Sequence, residues 1–251
     1  MLITSRSNET VKQARALQDA KKRRETGLHL VESDKLVRDA ILSGAVPELL
    51  FLEEGFPLPG VPGQCHVFEV TGSVMEALCE SRSPQHCAAV FRTPDFSAPQ
   101  AYPDGLIIVL DTLQDAGNLG TILRTADAFG AAGVLVGDGS VDPFGPKALR
   151  AAMGSTYHLP IWRADLVTEL SRLKAQGFTP LCGHLHGSEV LPPVTKKMAL
   201  VIGNEGNGVS DAVASQCVLY RLPMRGRAES LNAAMAAGIL IYELSGRMYG
   251  A

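Results

Sequence analysis

Three loops of this 251-residue chain carry the polar side chains best placed to do chemistry, and each loop follows an apolar segment. The first spans residues 111–133 (DTLQDAGNLGTILRTADAFGAAG), with Asn118 where a strand would turn into a helix and Arg124 a turn or two later. The carboxyl end of a buried strand is where open α/β sheets bind ligands. A surface ion pair from Arg124 to Asp111 or Asp127 is the plain structural alternative. No GxGxxG is present, so the loop is not a dinucleotide fingerprint.

The second loop, LVIGNEGNGVS at residues 200–210, is rich in glycine and contains one carboxylate, Glu205. Glycines allow a backbone to approach a ligand closely. A phosphate-binding loop would be followed by Lys-Ser/Thr, which is absent. The acidic side chain therefore favours a neutral or cationic ligand. The alternative for Glu205 is a carboxylate stabilised by a helix N-terminus.

The third loop opens residues 222–243, LPMRGRAESLNAAMAAGILIYE. Ser230 is the predicted N-cap, since a hydroxyl can accept a backbone N–H of the first turn. Apolar or small residues recur at helical spacing after it, namely Leu231, Met235, Gly238 and Tyr242. This pattern predicts a helix whose alanine-rich faces allow another backbone to pack closely. By itself it is also typical of an ordinary core helix after a loop.

A fourth stretch, residues 182–187, raises the alternative of a metal site. Cys182, His184 and His186 alternate, so on a strand they would share one face, as metal ligands do. Gly183 and Gly187 predict that the strand is ending, and the sequence offers no fourth ligand. No metal is therefore predicted.

The elements around these loops alternate between strand and helix, which predicts a mainly parallel sheet covered on both faces. Strands are predicted at 106–110, 134–136, 180–182, 199–202 and 218–222, with helices at 119–129, 147–153, 166–176, 211–216 and after Ser230. A smaller α/β unit precedes them, with a helix capped by Asn8. Its further strands and helices are predicted at 28–32, 34–42, 48–52, 66–70, 73–80 and 87–91. The proline-rich stretch between the two sets predicts a linker at 95–104, hence domains at 1–94 and 105–251.

Charge is unevenly distributed. The net charge is −3, yet residues 1–24 hold seven basic and two acidic side chains, 7 − 2 = +5. This indicates a localised anion-binding arm, with a solvated helix face as the equal alternative. No apolar run reaches the roughly 20 residues of a membrane span. The N-terminus carries no apolar signal region and the five Cys show no CxxC, so a cytoplasmic protein without a disulfide framework is expected.

Taken together, the three loops resemble the motifs of the SpoU (TrmH-type) ribose methyltransferases of the SPOUT superfamily. The family's Asn-x-Gly-x-x-x-Arg-x-x-x-x-x-Gly, Gly-x-Glu-x-x-Gly and Ile-Pro-Met-x-Gly…Ser-Leu-Asn are matched in order. The matching residues are Asn118, Gly120, Arg124 and Gly130; Gly203, Glu205 and Gly208; and Leu222, Pro223, Met224, Gly226, Ser230, Leu231 and Asn232. Departures are Ala116 for a usual Pro, Ala233-Ala234 after Ser-Leu-Asn, and Ser33 where the N-terminal domain usually has Gly.

The resemblance implies an S-adenosylmethionine (SAM)-dependent enzyme that methylates a ribose 2′-hydroxyl of structured rRNA or tRNA. It implies a deep trefoil knot, a homodimer formed through the C-terminal domain, and an N-terminal substrate-binding domain with a ribosomal-protein-like fold. The implied catalytic residues are Arg124, Asn118, Glu205 and Asn232. The implied cofactor contacts are Gly183, Gly203, Leu222, Met224, Ser230, Leu231 and Asn232. The candidate RNA contacts are Lys21, Lys22, Arg23, Arg24, Lys147, Arg150, Arg225 and Arg227, whose alternative is ordinary solvated charge.

Because a guanidinium stays protonated, Arg124 is expected to grip the phosphate beside the target ribose rather than to act as a base. A non-catalytic RNA-binding protein on the same fold is the main alternative, and the intact polar motif residues argue against it. A nucleotide-binding regulatory domain is disfavoured by the missing phosphate-loop lysine.

Overall fold

The structure is a computed structural model that describes residues 2–57, 60, 63–81 and 85–250. The chain forms two compact units. The N-terminal unit comprises residues 1–94 together with residues 142–157, and the C-terminal unit comprises residues 95–141 and 158–251. The N-terminal unit thus includes a segment that the sequence placed inside the C-terminal domain. Such a grouping depends on contacts between residues far apart in the chain, which local patterns do not encode.

The N-terminal unit contains a mixed five-stranded sheet in the order β1-β4-β3-β5-β2. Strand β4 pairs in parallel with β1 and β3, and β5 pairs antiparallel with β2 and β3. Its strands are β1 (Leu2–Ile3), β2 (Leu28–Glu32), β3 (Pro47–Glu53), β4 (His66–Val70) and β5 (Cys87–Arg92), and its helices from the first 94 residues are α1 (Glu9–Ala16), α2 (Ala20–Thr26), α3 (Asp34–Leu42) and α4 (Gly72–Leu78).

Helix α1 begins as predicted, with the Asn8 side chain accepting the Thr10 amide at 2.9 Å. The predicted strands and helices of this unit are confirmed within two residues at each end. Two elements escaped prediction, the short β1 and helix α2. The α2 sequence AKKRRET has no apolar periodicity. It is defined instead by its Asp19 cap and by Gly27, whose φ of 66° ends it in the left-handed region.

The segment at 142–157 adds helix α6 (Pro146–Ala152) and a 3₁₀ turn at Ser155–Tyr157 to this unit. Buried polar contacts hold it there. The Arg23 guanidinium, only 7% exposed, donates to Asp142 at 2.6 Å and to the carbonyl of Leu17 at 2.8 Å. Predicted as an RNA contact, Arg23 is instead a buried structural residue, because its donors are used inside the unit.

His29 is the second buried polar anchor of the same segment. Its Nδ1 lies 3.0 Å from the Thr93 hydroxyl and its Nε2 lies 2.6 Å from the Tyr157 hydroxyl. Burial lowers the pKa of His29 to about 3 and raises the pKa of the Tyr157 hydroxyl. The imidazole is therefore neutral at physiological pH, with both ring nitrogens satisfied by hydroxyls.

The C-terminal unit contains a six-stranded sheet in the order β11-β9-β10-β6-β7-β8, in which every strand pair is parallel. This confirms the predicted α/β class with a mainly parallel sheet. The strands are β6 (Gly105–Leu110), β7 (Gly133–Gly137), β8 (Ile161–Ala164), β9 (Thr179–Ser188), β10 (Lys197–Ile202) and β11 (Val218–Tyr220), and the helices are α5 (Ala116–Ala128), α7 (Leu166–Ala175), α8 (Asp211–Ala214) and α9 (Ala233–Tyr249).

Two strands differ from the prediction. Strand β8 was missed, because IWRA is too short to show a pattern. Strand β9 does not end near Gly183 but continues to Ser188. A Cβ added at Gly187 would come within 2.6 Å of the Tyr220 backbone, so this glycine serves close strand packing rather than chain termination.

The predicted linker is packed against helix α7. Tyr102 is buried, and its hydroxyl donates to Glu169 at 2.6 Å. Its backbone N–H donates to Gln176 at 2.9 Å, and Arg172 donates to the carbonyl of Pro99 at 2.7 Å. Residues 95–104 therefore form an ordered strap of the C-terminal unit. Among the helices that the structure describes, none has the length and apolar character needed to cross a membrane.

Candidate functional site

The three polar loops follow strands β6, β10 and β11, and their side chains meet at the carboxyl edge of the parallel sheet. The Asn232 amide donates to the Asn118 carbonyl oxygen at 3.0 Å. The Asn118 amide in turn donates to a Glu205 oxygen at 2.9 Å. One side chain from each motif thus belongs to a single chain of hydrogen bonds. The bonded residues are 87 and 114 positions apart in the sequence, so only the fold brings them together.

The Glu205 carboxylate holds the first loop in place by accepting hydrogen bonds from it. Besides Asn118, it accepts the backbone N–H of Gln114 at 3.1 Å and of Asp115 at 3.0 Å. Partial burial raises the pKa of the Glu205 carboxyl, but these hydrogen bonds outweigh burial, and the net pKa lies below the usual value. The site therefore contains a carboxylate that is ionised at neutral pH.

The glycine-rich loop doubles back on itself. Asn204 and Gly208 exchange backbone hydrogen bonds of 2.8 and 3.0 Å. A Cβ at Gly203 would lie 2.2 Å from the backbone carbon of Gly208, so no side chain fits there. Gly208 has a φ of 71°, in the left-handed region that glycine favours. These positions explain two of the motif glycines by backbone geometry.

Helix α9 begins at Ala233, and its N-cap is Asn232 rather than the predicted Ser230. The Asn232 carbonyl oxygen accepts the N–H groups of Ala234 at 2.9 Å and Met235 at 3.2 Å. A carboxamide can cap the helix with its oxygen while its nitrogen donates to Asn118, which a hydroxyl cannot do at this reach. Ser230 is exposed in the preceding irregular segment.

A cavity of about 250 Å³ lies between the second and third loops. Six of the seven predicted cofactor residues line it: Gly183, Gly203, Leu222, Met224, Ser230 and Leu231. Asn232 is not among its lining residues. The sequence did not predict several other residues that line it, among them His184, Leu185, Asn204, Tyr220 and Arg221. Asn204 had a signal, since it stands between the glycine and the glutamate of the second motif. His184 follows the predicted contact Gly183 within strand β9, but it was considered only as a metal ligand.

The cavity suits an amphipathic cation such as SAM. Ile202 and Leu240 give it apolar walls, and Ala233 and Ala236 leave it room. The ionised Glu205 carboxylate, which also lines the cavity, complements a positive charge. Within the described ranges, no group of three or more His, Cys, Asp or Glu side chains converges in a way that could hold a metal ion, and this includes the alternating Cys182, His184 and His186.

Arg124 lies on the exposed face of α5 and makes no hydrogen bond or ion pair with any residue that the structure describes. The alternative ion pairs are not formed. Asp111 instead accepts the backbone N–H of Ser210 at 2.7 Å, and Asp127 pairs with His158 at 2.7 Å. The guanidinium donors of Arg124 therefore remain available to an anionic ligand.

Most of the other predicted RNA contacts have exposed side chains. Arg225 and Arg227 are exposed on the third loop, and Lys21, Lys22, Arg24 and Lys147 are exposed in the N-terminal unit. Arg150 is engaged, because it lies 3.5 Å from the buried Glu32 carboxylate and 3.2 Å from Glu80. Like Arg23, Arg150 therefore stabilises the N-terminal unit through ion pairs within it.

The comparisons with known proteins agree with this geometry. Residues 105–242 match the model of the SpoU rRNA Methylase family, and residues 8–89 match the MRM3-like substrate binding domain. The parallel sheet, with its motif residues gathered at one edge around a cavity, is the fold of SpoU-type methyltransferases. The chain belongs to the SpoU rRNA methylase family, which confirms the resemblance read from its motifs.

Relatives of nearly the same length support this membership. The 23S rRNA (guanosine(2553)-2'-O)-methyltransferase RlmP of Bacillus subtilis (strain 168) is 37% identical over 250 residues, 97% of this chain and 99% of that protein. An AdoMet-bound rRNA methyltransferase from Sinorhizobium meliloti has a TM-score of 0.88 at 32% identity, covering 98% and 97% of the two chains. The SpoU methyltransferase AviRb from Streptomyces viridochromogenes, in complex with AdoMet, has a TM-score of 0.83 at 26% identity, covering 95% and 97%.

Proposed function

We propose that this protein transfers a methyl group from SAM to a ribose 2′-hydroxyl of RNA. The observation that carries the proposal is the chain of hydrogen bonds Asn232–Asn118–Glu205 beside the cavity, with Arg124 on the same helix as Asn118 and without a partner among the described residues. Family membership and the AdoMet-bound structural neighbours support the cofactor. SAM supplies an electrophilic methyl group when bound.

The chain's own residues hold and orient the reactants. We assign the cofactor to the cavity walls, which include Gly183, Gly203, Leu222, Met224, Ser230 and Leu231. Arg124 grips the phosphate next to the target ribose, since its fork of donors matches a phosphate and stays charged. The Asn118 oxygen keeps a lone pair for the ribose hydroxyl, because a carbonyl accepts two hydrogen bonds and Asn232 supplies one. Holding the cofactor, the phosphate and the ribose hydroxyl in a fixed geometry speeds the reaction, because the reacting groups no longer have to meet by diffusion.

We propose 23S rRNA as the substrate, on the strength of the RlmP relative, and the cytoplasm as the compartment. The N-terminal unit would supply RNA recognition beyond the common ribose and phosphate. Lys21, Lys22 and Arg24 are exposed there. The ion pairs of the two lysines with Glu25 are solvent-exposed and can be exchanged for phosphates, whereas Arg23 and Arg150 are held by partners inside the unit. Arg225 and Arg227 would contact phosphates near the catalytic loop.

We also propose a homodimer through the C-terminal unit, together with the trefoil knot that family membership implies. Helix α9 leaves one apolar side exposed, with Met235 at 61%, Ile239 at 43% and Tyr242 at 65%. Phe129 continues this surface, its ring 5.5 Å from that of Tyr242. A contiguous apolar surface of this kind is typical of an interface, and two-fold dimers are the commonest oligomers. A monomeric full-length chain in sedimentation at micromolar concentration would refute the dimer.

The deciding experiment supplies the purified full-length protein with methyl-labelled SAM and unmodified 23S rRNA, followed by mapping of alkali-resistant ribose positions. The proposal expects label at one 2′-hydroxyl, and a rise in melting temperature with SAM, because a ligand that binds only the folded state stabilises it. RNA binding without transfer, and no calorimetric heat at millimolar SAM, would establish the alternative of a non-catalytic RNA-binding protein.

A further inference from the structure

Asn204 makes three side-chain hydrogen bonds at the point where the second loop meets the first. Its oxygen accepts the N–H groups of Gly206 at 2.8 Å and Asn207 at 3.0 Å. Its nitrogen donates to the carbonyl of Thr112 at 2.9 Å. The same half-buried side chain lines the cavity assigned to the cofactor. One carboxamide thus shapes the glycine-rich loop and contacts the loop that leads to the catalytic helix.

Thr112 has a conformation that needs such support. Its φ is 51°, in the left-handed region that β-branched residues rarely adopt. Backbone conformations of this kind persist where surrounding contacts over-determine them, and they gather at functional sites. The Thr112 carbonyl accepts a second hydrogen bond, from the Gln114 side chain at 3.1 Å, and that side chain also donates to the Gly139 carbonyl at 2.7 Å.

Asn204 and Glu205 hold the same segment by groups of opposite polarity. Asn204 donates to the carbonyl of Thr112, and Glu205 accepts the N–H groups of Gln114 and Asp115. Asp115 then caps helix α5 by accepting the backbone N–H of Asn118 at 2.8 Å. The start of α5, and with it the position of its functional side chains, is therefore fixed from residues 204 and 205.

We propose that Asn204 is a positioning residue, which holds residues 112–115 against the cavity loop and so couples the cavity to the placement of Asn118 and Arg124. The inference rests on the proposed methyl transfer and deepens it. Only an amide of this length offers acceptor and donor together. Aspartate keeps the two loop hydrogen bonds but sets a carboxylate against the Thr112 carbonyl.

The test compares Asn204→Asp with Asn207→Asp in the full-length protein. Asn207 is an ideal matched control, because it is an exposed residue of the same loop, receives the same charge change, and makes no side-chain hydrogen bond within the described part of the chain. Asn204→Asp is expected to lower kcat about 10- to 100-fold while the Kd for SAM changes less than about threefold, since one hydrogen bond is lost and a carbonyl is left facing a charge. Asn207→Asp is expected to match the wild type in both.

A readout without catalysis is the amide hydrogen exchange of Gln114 and Asp115 in the absence of RNA. It should speed up about tenfold in Asn204→Asp, because the segment loses a fixed point, and stay unchanged in Asn207→Asp. Equal losses in the two variants, or an Asn204→Asp protein with wild-type exchange and rate, would overturn the inference. So would a loss of SAM affinity in proportion to kcat, which would mark a role in folding the loop alone. If the wild type itself transferred no methyl group, the proposed function would fail, while the exchange experiment would still decide whether Asn204 positions the segment.

Discussion

The two units of this chain use polar side chains in different ways. In the N-terminal unit Arg23 and His29 are buried, and all their partners lie within the unit. In the C-terminal unit Asn118, Glu205 and Asn232 are joined at the open edge of a parallel sheet, next to a cavity. A buried and satisfied polar group holds segments together, whereas an exposed and ordered one is prepared for a ligand. The comparison predicts that changes in the first set cost stability, and changes in the second set cost activity.

Arg23→Ala should give the largest effect. It removes one partner of a buried ion pair and should lower the free energy of unfolding of the N-terminal unit by about 3–5 kcal/mol. Urea unfolding followed by far-UV circular dichroism measures this loss. Trp162, the only tryptophan, lies in the C-terminal unit, so its fluorescence reports on that unit alone. The exposed neighbour in Arg24→Ala is the control, and an equal loss in both variants would remove Arg23 from its anchoring role.

Glu205→Gln should come next, with an effect on activity. The amide can accept fewer of the hydrogen bonds from Gln114, Asp115 and Asn118, and it carries no charge. Hydrogen bonds to a charged group contribute about 1.5–3 kcal/mol, so methyl transfer should slow roughly 10- to 100-fold. Single-turnover transfer measures the rate. Glu229→Gln, an exposed change in the third loop, should leave it unchanged, and an unchanged rate in Glu205→Gln would contradict the assignment.

His29 should make the N-terminal unit sensitive to acid. Its folded pKa of about 3 lies below the ordinary 6.5, so the unfolded chain binds the extra proton. Its stabilising contribution is complete above pH 6.5 and falls as the pH is lowered toward 3, by about 2 kcal/mol between pH 6.5 and pH 5. Unfolding free energies across this range should decline less in His29→Phe than in the wild type. His66→Phe, at an exposed histidine, should retain the full decline, and parallel curves for all three proteins would disprove the effect.

Ser33→Gly should have the smallest effect and the opposite sign. Ser33 has a φ of 85°, which explains why glycine is usual at this position, and its side chain contributes only a long 3.4 Å cap to Leu36. Glycine relieves the backbone strain but loses the weak cap. Because the strain is the larger of the two, the free energy of unfolding should rise by about 1 kcal/mol. Ser33→Ala keeps the strain and loses the cap, so it should be less stable than the wild type. A thermal melt in which Ser33→Gly is less stable than Ser33→Ala would contradict this account.

How far the sequence predicts this molecule depends on whether the signal is local. The parallel sheet was predictable from strand and helix alternation, and the cavity from glycine loops at strand ends. Arg23 was misassigned because its partner Asp142 lies 119 positions away, and a basic run by itself is typical of a solvated or RNA-binding surface. Ser230 was misassigned because serine and asparagine are both good N-caps, and the contact that singles out Asn232 is made with Asn118, 114 positions away. Tertiary contacts decided in each case.

Arg124 provides the most direct test of the central claim, that the open side chains of the C-terminal unit perform RNA methylation. The measurement is methyl transfer to 23S rRNA by wild type, Arg124→Ala and Arg124→Lys, beside calorimetric Kd values for SAM. Both variants should transfer methyl groups at least about 100-fold more slowly than the wild type. Alanine removes the contact with the phosphate altogether, and the ammonium group of lysine is a point charge that does not reproduce the two parallel hydrogen bonds of a guanidinium. Their SAM affinity should stay within about threefold of the wild type. Wild-type transfer by Arg124→Lys would contradict the phosphate grip, and wild-type transfer by Arg124→Ala would contradict the assignment of the site.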